Sequence, residues 1–174
     1  MKCLIVVDYQ VDFVVGALGF YKAVALEDKI AEKISEYRAS GGEIIFTFDT
    51  HRDNYMQTQE GRKLPIPHCI DGTEGHKLYG RIAAAKSNAD KCIYKHTFGS
   101  DELMDYLRGR HYDSIELVGV VSNICVLSNA IIAKTALPEV PVIVDAACTA
   151  SNDDSLHNAA MDVMQELQIN VINR

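Results

Sequence analysis

Short apolar runs rich in β-branched residues recur along the chain between stretches of helical period, the alternation expected of a parallel sheet covered by helices on both faces. The first run is Cys3 to Val7. After a glycine-containing loop, Leu26, Ile30, Ile34 and Tyr37 repeat at spacings of four, four and three, which predicts an amphipathic helix ending near Gly41-Gly42. Ile44 to Phe48 reads as a second strand, Cys92 to Lys95 as a third, Ser114 to Val121 as a fourth, Pro141 to Val144 as a fifth and Asn170 to Ile172 as a sixth. Ser100 stands where it can cap a helix over 101–108. A helix over 123–134 follows the fourth strand, and Leu156, Ala159, Ala160, Val163 and Leu167 stripe a last one. From Asp49 to about Lys77 no period is sustained, so this half of the chain predicts a long loop, and loops of that length in compact domains tend to carry function. No repeat, linker or low-complexity tract breaks the pattern, which points to one α/β domain over 1–174 with a mostly parallel six-stranded sheet.

Composition narrows the function. With 174 residues, 48% of them apolar, the chain has the size and core content of a single ordinary domain. The 17 Lys and Arg against 24 Asp and Glu leave a net charge of −7 without a basic block, so nucleic acid is excluded as a partner. The apolar run before Asp8 falls far short of the roughly 20 residues of a membrane span and is shorter than a signal-peptide core. The expectation is a cytoplasmic protein with no membrane partner. Five cysteines, at positions 3, 69, 92, 125 and 148 and without a C-x-x-C pair, argue against a disulfide frame and leave room for one working thiol.

In open parallel sheets the ligand crevice lies outside the carboxyl ends of the strands. Four reactive residues fall there in succession: Asp8, Asp49, Lys95 and Cys125. A thiol in the first turn of a helix meets the positive end of the macrodipole, with Asn123 or Ser122 as cap, which favours thiolate and makes Cys125 the candidate nucleophile. The bland alternative is a small buried apolar residue, the reading kept for the other four cysteines. Asp8 is the strand-end carboxylate placed to take and return a proton, and Lys95 would hold its charge, giving nucleophile, base and orienter without a histidine. His96 faces away from Lys95 by strand alternation. The long loop holds Asp49-Thr50-His51, Glu60 and His68, a carboxylate and two imidazoles suited to Zn²⁺, Mn²⁺ or Fe²⁺, and Asp49 and His51 share a face of an extended segment. The competing reading is locally satisfied loop histidines. His76, His111 and His157 read as surface residues, and Asp53 and Asp71 as turn residues.

Taken together these residues resemble the isochorismatase-like cysteine hydrolases, in particular the nicotinamidase branch. Asp8-Tyr-Gln10-Val-Asp12-Phe13 resembles the opening DxQxDF, followed by Gly16-Ala-Leu-Gly19; Phe48-Asp49-Thr-His51 resembles the metal strand; Pro67-His68-Cys69 through Gly72-Thr73-Glu-Gly75 resembles PHCxxGTxG. Lys95-His-Thr-Phe98 resembles the lysine strand and Gly119-Val-Val121-Ser-Asn-Ile-Cys125-Val126 the nucleophile turn. The resemblance implies a three-layer, Rossmann-like α/β domain with Asp8, Lys95 and Cys125 as triad. It implies Asp49, His51 and His68, joined by Glu60, as ligands of one divalent ion, zinc first and manganese or iron tolerated. It also implies a cis peptide between Val120 and Val121, with the N–H groups of Val121 and Cys125 as oxyanion hole. Phe13, Leu64 and Val120 then line the substrate site, Leu64 serving where many nicotinamidases have an aromatic residue at the position held here by Pro65. The expected activity is hydrolysis of a small-molecule amide, nicotinamide to nicotinate and ammonia, through a thioester of Cys125. The alternatives are another small-amide or ureide hydrolase of the superfamily, which would lack the Asp-x-His metal set, or a ligand-binding member without catalysis. A homo-oligomer is expected only because homologous folds often assemble.

Overall fold

A computed structural model describes residues 1–174. Six strands, β1 (Lys2–Val7), β2 (Glu43–Asp49), β3 (Lys91–Lys95), β4 (Ser114–Val120), β5 (Val142–Ala150) and β6 (Asn170–Ile172), form one sheet in the order β3-β2-β1-β4-β5-β6. Every neighbouring pair is parallel. Successive side chains of a strand point to opposite faces, and β1 divides accordingly. Leu4 and Val6 join one core, and Cys3, Ile5 and Val7 join the other.

The first core is covered by α1 (Val11–Val14), α2 (Tyr21–Val24), α3 (Glu27–Ala39) and, after a 3₁₀ turn at Tyr55–Gln57 and the short α4 (Gln59–Lys63), by α5 (Gly80–Ala85). On α3 the predicted stripe of Leu26, Ile30, Ile34 and Tyr37 is buried. The second core is covered by α6 (Asp101–Leu107), α7 (Leu127–Ala136) and α8 (Asp154–Glu166). Ser100 caps α6 as expected, its hydroxyl accepting from Leu103 N at 3.0 Å. The result is the three-layer arrangement, with every strand parallel.

Four local expectations change. The stretch after Asp49 is no uniform loop, since it contains the turn at Tyr55 and α4. β5 runs on to Ala150 past a register shift between Leu117 and Gly119 of β4, through Ala146, Ala147 and Cys148, which carry no β-branched signal. The helix after β4 begins as a π turn over Ser122–Val126 and becomes α-helical only at Leu127. On α8 the buried residues are Ala160, Met161 and Met164, whereas Leu156, Val163 and Leu167 are exposed. Two overlapping apolar stripes occur on that helix, and packing against the sheet selects the methionine one.

Gly119 enables the approach of the two central strands. Its φ is +109°, and a Cβ there would lie 2.1 Å from the Val7 carbonyl oxygen, so no side chain fits between β1 and β4 at this point.

Candidate active site

The four strand-end residues converge. Asp49 and Lys95 are register partners at the ends of β2 and β3, Asp8 follows β1 with φ of 45°, and Cys125 sits in the π turn after β4. Lys95 Nζ lies 2.6 Å from Asp8 Oδ2 and 3.6 Å from Asp49 Oδ1. It also lies 3.6 Å from Cys125 Sγ and 3.1 Å from the Thr97 carbonyl. The other Asp8 oxygen accepts from the Thr47 hydroxyl at 2.6 Å. Asp8, Asp49, Lys95 and Cys125 are all buried.

Burial sets the electrostatics. It works against the charge of Lys95, but the carboxylates of Asp8 and Asp49 and the sulfur of Cys125 more than offset it, so the lysine stays an ammonium. Burial also raises Asp8, against the opposing pull of Lys95. Asp49 goes the other way: burial would raise it, but the close His51 and His68 imidazoles and the charge of Lys95 carry it well below the usual carboxylate range. Two carboxylates around one lysine are thus pushed apart, the pattern that separates a proton carrier from a fixed charge. The thiol differs from its expected state. Burial holds Cys125 well above the ordinary thiol value, with Lys95 lowering it and Asp8 and Asp49 raising it again. Neither Ser122 nor Asn123 caps the turn with its side chain, and Cys125 is the fourth residue of a π turn and not of an α-helix. Burial thus favours the neutral thiol at Cys125, whose proton needs an acceptor, and Asp8 shares the Lys95 ammonium with that sulfur.

The second cluster adjoins the first. Ligand-type atoms of Asp49, His51, Glu60 and His68 all lie within 4.8 Å of one another. Asp49 Oδ2 is 3.1 Å from His51 Nε2 and 3.4 Å from His68 Nε2, while Glu60 Oε1 is 3.6 and 3.7 Å from the same two nitrogens. His68 Nδ1 donates to the Ile66 carbonyl at 2.8 Å. That bond fixes the tautomer and turns the Nε2 lone pair toward two carboxylates, an arrangement that a cation between them resolves. Two imidazoles and two carboxylates fit a divalent transition ion.

A cavity of about 330 Å³ opens onto both clusters, lined by Asp49, Glu60, His68 and Cys125 and walled by Phe13 and Leu64. Phe98, Ile124, Leu156, Leu18 and Phe20 complete its apolar side; none carries a local signal of that role. Val121 lines it as well, and its N–H finds no acceptor in the chain. Val120 does not line it. Its side chain is fully buried in the core under the sheet, so the expectation of a substrate contact there is corrected. The peptide between the two valines is cis. A more open groove of about 690 Å³ is lined by Phe48, His76 and Tyr94 among others and by no residue of either cluster.

Several positioning residues escaped the sequence reading because their partners are remote in the chain. The Gln10 carboxamide accepts from Asp49 N at 2.8 Å and donates to the carbonyls of Asp49 at 3.0 Å and His76 at 2.8 Å. Asn129 ties the nucleophile turn to the loop after β3, donating to the Cys125 carbonyl at 2.8 Å and the Phe98 carbonyl at 3.0 Å. Asp12 accepts from Cys69 N at 2.7 Å and from Ala17 N at 3.2 Å, and a side chain on Gly75 would strike its carboxylate. His76 is buried, not on the surface, and meets the Thr50 hydroxyl at 2.8 Å. His157 is half-buried and meets the Ser122 hydroxyl at 3.0 Å, while His96 is exposed as alternation requires.

A thiol, a lysine and a carboxylate at the carboxyl edge of a parallel three-layer sheet, beside a compact metal-type donor set, have the construction of a hydrolytic enzyme. The chain belongs to the isochorismatase family: the family profile, described as the isochorismatase domain, matches residues 2–174. An isochorismatase family protein PncA of Bacillus subtilis is 32% identical over 141 residues, covering 75% of this chain and 76% of that one. The nicotinamidase/pyrazinamidase of Mycobacterium tuberculosis is 27% identical over 190 residues, 99% of this chain and 98% of that one. Among solved structures, the pyrazinamidase/nicotinamidase of Streptococcus mutans superposes with a TM-score of 0.87 at 29% identity, covering 99% of this chain and 100% of that one.

Proposed function

We propose that this protein is a metal-dependent cysteine amidohydrolase that converts nicotinamide to nicotinate and ammonia. The observation that carries the proposal is Cys125 Sγ 3.6 Å from Lys95 Nζ, with that ammonium 2.6 Å from Asp8, beside a cavity that Cys125 lines together with Asp49, Glu60 and His68 of the donor cluster. The likeness to nicotinamidases supports the substrate class.

Each step falls to a group already in place. Asp8 takes the Sγ proton, and the raised affinity of its buried carboxylate for a proton suits that transfer. The thiolate adds to the amide carbon, and the N–H groups of Val121 and Cys125 receive the oxyanion. Asp8 returns the proton to nitrogen, the carbon–nitrogen bond breaks, and ammonia leaves a thioester on Cys125. Asp8 then deprotonates a water that adds to the thioester; collapse releases the acid, and the proton returns to sulfur. Lys95 holds the charge of Asp8 throughout. Asp49, His51, Glu60 and His68 would hold a divalent ion, zinc by preference, which supplies a Lewis-acidic charge for orienting a ring nitrogen. Phe13 and Leu64 form the apolar walls for the ring.

The test is ammonia release from nicotinamide by metal-replete protein, beside the Cys125→Ala variant and a panel of small amides and ureides. Release that disappears in the variant is expected. Turnover of a different amide alone would remove nicotinamide and keep the chemistry, while undiminished activity in Cys125→Ala would remove the cysteine mechanism.

A further inference from the structure

Between Ile44 and Phe48, β2 carries one polar side chain, Thr47, and it is fully buried. Valine has the same shape and suits the interior of a parallel strand without a hydroxyl to satisfy. A buried hydroxyl needs a partner, and that of Thr47 finds one 39 residues away, donating to Asp8 Oδ1 at 2.6 Å. Thr47 also receives the backbone N–H of Asp8, which lies 3.2 Å from its carbonyl oxygen and 3.3 Å from its hydroxyl oxygen. One residue of β2 therefore holds Asp8 by both backbone and carboxylate, at a position whose φ of 45° is uncommon outside glycine.

The two oxygens of Asp8 are thereby distinguished. Oδ1 is committed to Thr47, while Oδ2 faces Lys95 Nζ at 2.6 Å, and that ammonium lies 3.6 Å from Cys125 Sγ. Without the hydroxyl, Oδ1 loses the one hydrogen bond it accepts, and the carboxylate can turn away from the geometry that proton transfer requires. The same bond works on charge. Burial raises Asp8, and the Thr47 hydroxyl opposes that rise because a donor to a carboxylate favours its ionised form. We infer that Thr47 is a positioning residue of the proposed reaction, its hydroxyl clamping the Asp8 carboxylate in the orientation from which the base takes and returns its proton. This inference rests on the amidohydrolase reading above.

The test measures kcat and KM for ammonia release from nicotinamide, and the zinc Kd of chelator-stripped protein, in the wild type, Thr47→Val and Thr47→Ser, with circular dichroism to establish that each is folded. Removing the hydroxyl should lower kcat about 10- to 100-fold, the magnitude expected of a hydrogen bond to a charged group. KM and zinc Kd should stay within about twofold, because Thr47 belongs neither to the cavity wall nor to the donor cluster. Thr47→Ser keeps the hydroxyl and should stay within about threefold of the wild-type kcat. A second hydroxyl-free variant, Thr47→Ala, carries the test if the valine chain does not fold. An undiminished kcat without the hydroxyl, an equal fall in Thr47→Ser, or a loss confined to KM or to zinc affinity overturns the inference while leaving the amidohydrolase reading intact. Absence of ammonia release from every primary amide by the wild type overturns both.

Discussion

Two lysines of this protein are each set between a pair of carboxylates, and their surroundings differ in one respect. Lys33 of α3 lies 2.5 Å from Glu116 Oε1 and 2.6 Å from Asp145 Oδ2. The remaining oxygens are also taken: Tyr37 donates to Glu116 Oε2 at 2.6 Å, and Ala147 N and Asn173 Nδ2 donate to Asp145 Oδ1, both at 3.0 Å. Every charge has its partners, burial of Lys33 is more than offset by the two carboxylates, and Asp145 is held below the usual range because its hydrogen bonds outweigh its burial. Lys95 has the same two-carboxylate setting but with a thiol as third neighbour, one carboxylate raised and the other lowered. A network that is satisfied throughout can only hold the fold. One in which proton affinities are unequal, and in which a cavity opens onto the sulfur, can move a proton.

Cys125→Ala should separate the two networks most sharply. It should lower kcat/KM for nicotinamide by about 10³-fold or more while the thermal midpoint stays within about 2 °C, since a small side chain is exchanged for a smaller one. A comparable loss of stability would mean that the thiol is structural. Lys33→Met should do the converse. It leaves Glu116 and Asp145 buried without their counter-charge, a loss of about 3–5 kcal/mol, which in a domain of this size lowers Tm by roughly 6–20 °C. None of the cluster lines the active cavity, so turnover by the folded enzyme should stay within about twofold; a large fall in kcat would join the two networks.

Gln10→Ala tests the metal side. Its loss frees the end of β2 from the His76 loop, and in the manner of a group that orients a ligand strand it should weaken zinc binding about 10–100-fold, read as Kd by titration of chelator-stripped protein. Unchanged affinity would confine Gln10 to folding. The smallest effect concerns pH. Because the native-state pKa of Asp145 is depressed, its contribution is complete above the unfolded value near 3.9 and is lost as pH falls through the lower folded value. The difference in Tm between wild type and Asp145→Asn should therefore be constant near neutrality and close below about pH 4; a difference that persists into acid would assign the stabilisation to packing.

Much of this was legible in the chain before any coordinates. Buried strands of parallel sheets are runs of Val and Ile, and β1, β2 and β4 advertise themselves that way. The reactive residues could be found because topology alone dictates that strand ends meet, so Asp8, Asp49, Lys95 and Cys125 needed only to end a strand or follow one closely. What stayed hidden depends on partners far away in sequence. The choice between the two apolar stripes of α8, the burial of His76 and the bridging by Gln10 are decided by which surface arrives opposite, and no local pattern records that. The burial of the Cys125 thiol stays hidden for a related reason: the helix dipole is a local property, whereas the neighbouring carboxylates that raise the thiol, Asp8 and Asp49, come from the ends of two other strands.

The strand order has a consequence for how the chain reaches its native state. β1 emerges first during synthesis yet occupies the middle of the sheet, between β2 and β4. One of its edges can pair as soon as Asp49 is made, but the other stays open until β4, beginning at Ser114, is available. Through that interval a nascent chain carries an unpaired edge on a strand that is apolar from Cys3 to Val7, a feature prone to mispairing and aggregation. The reactive cluster draws on β1, β2, β3 and the turn after β4, so it cannot assemble before that edge closes, and recovery of activity on refolding marks completion of the central sheet.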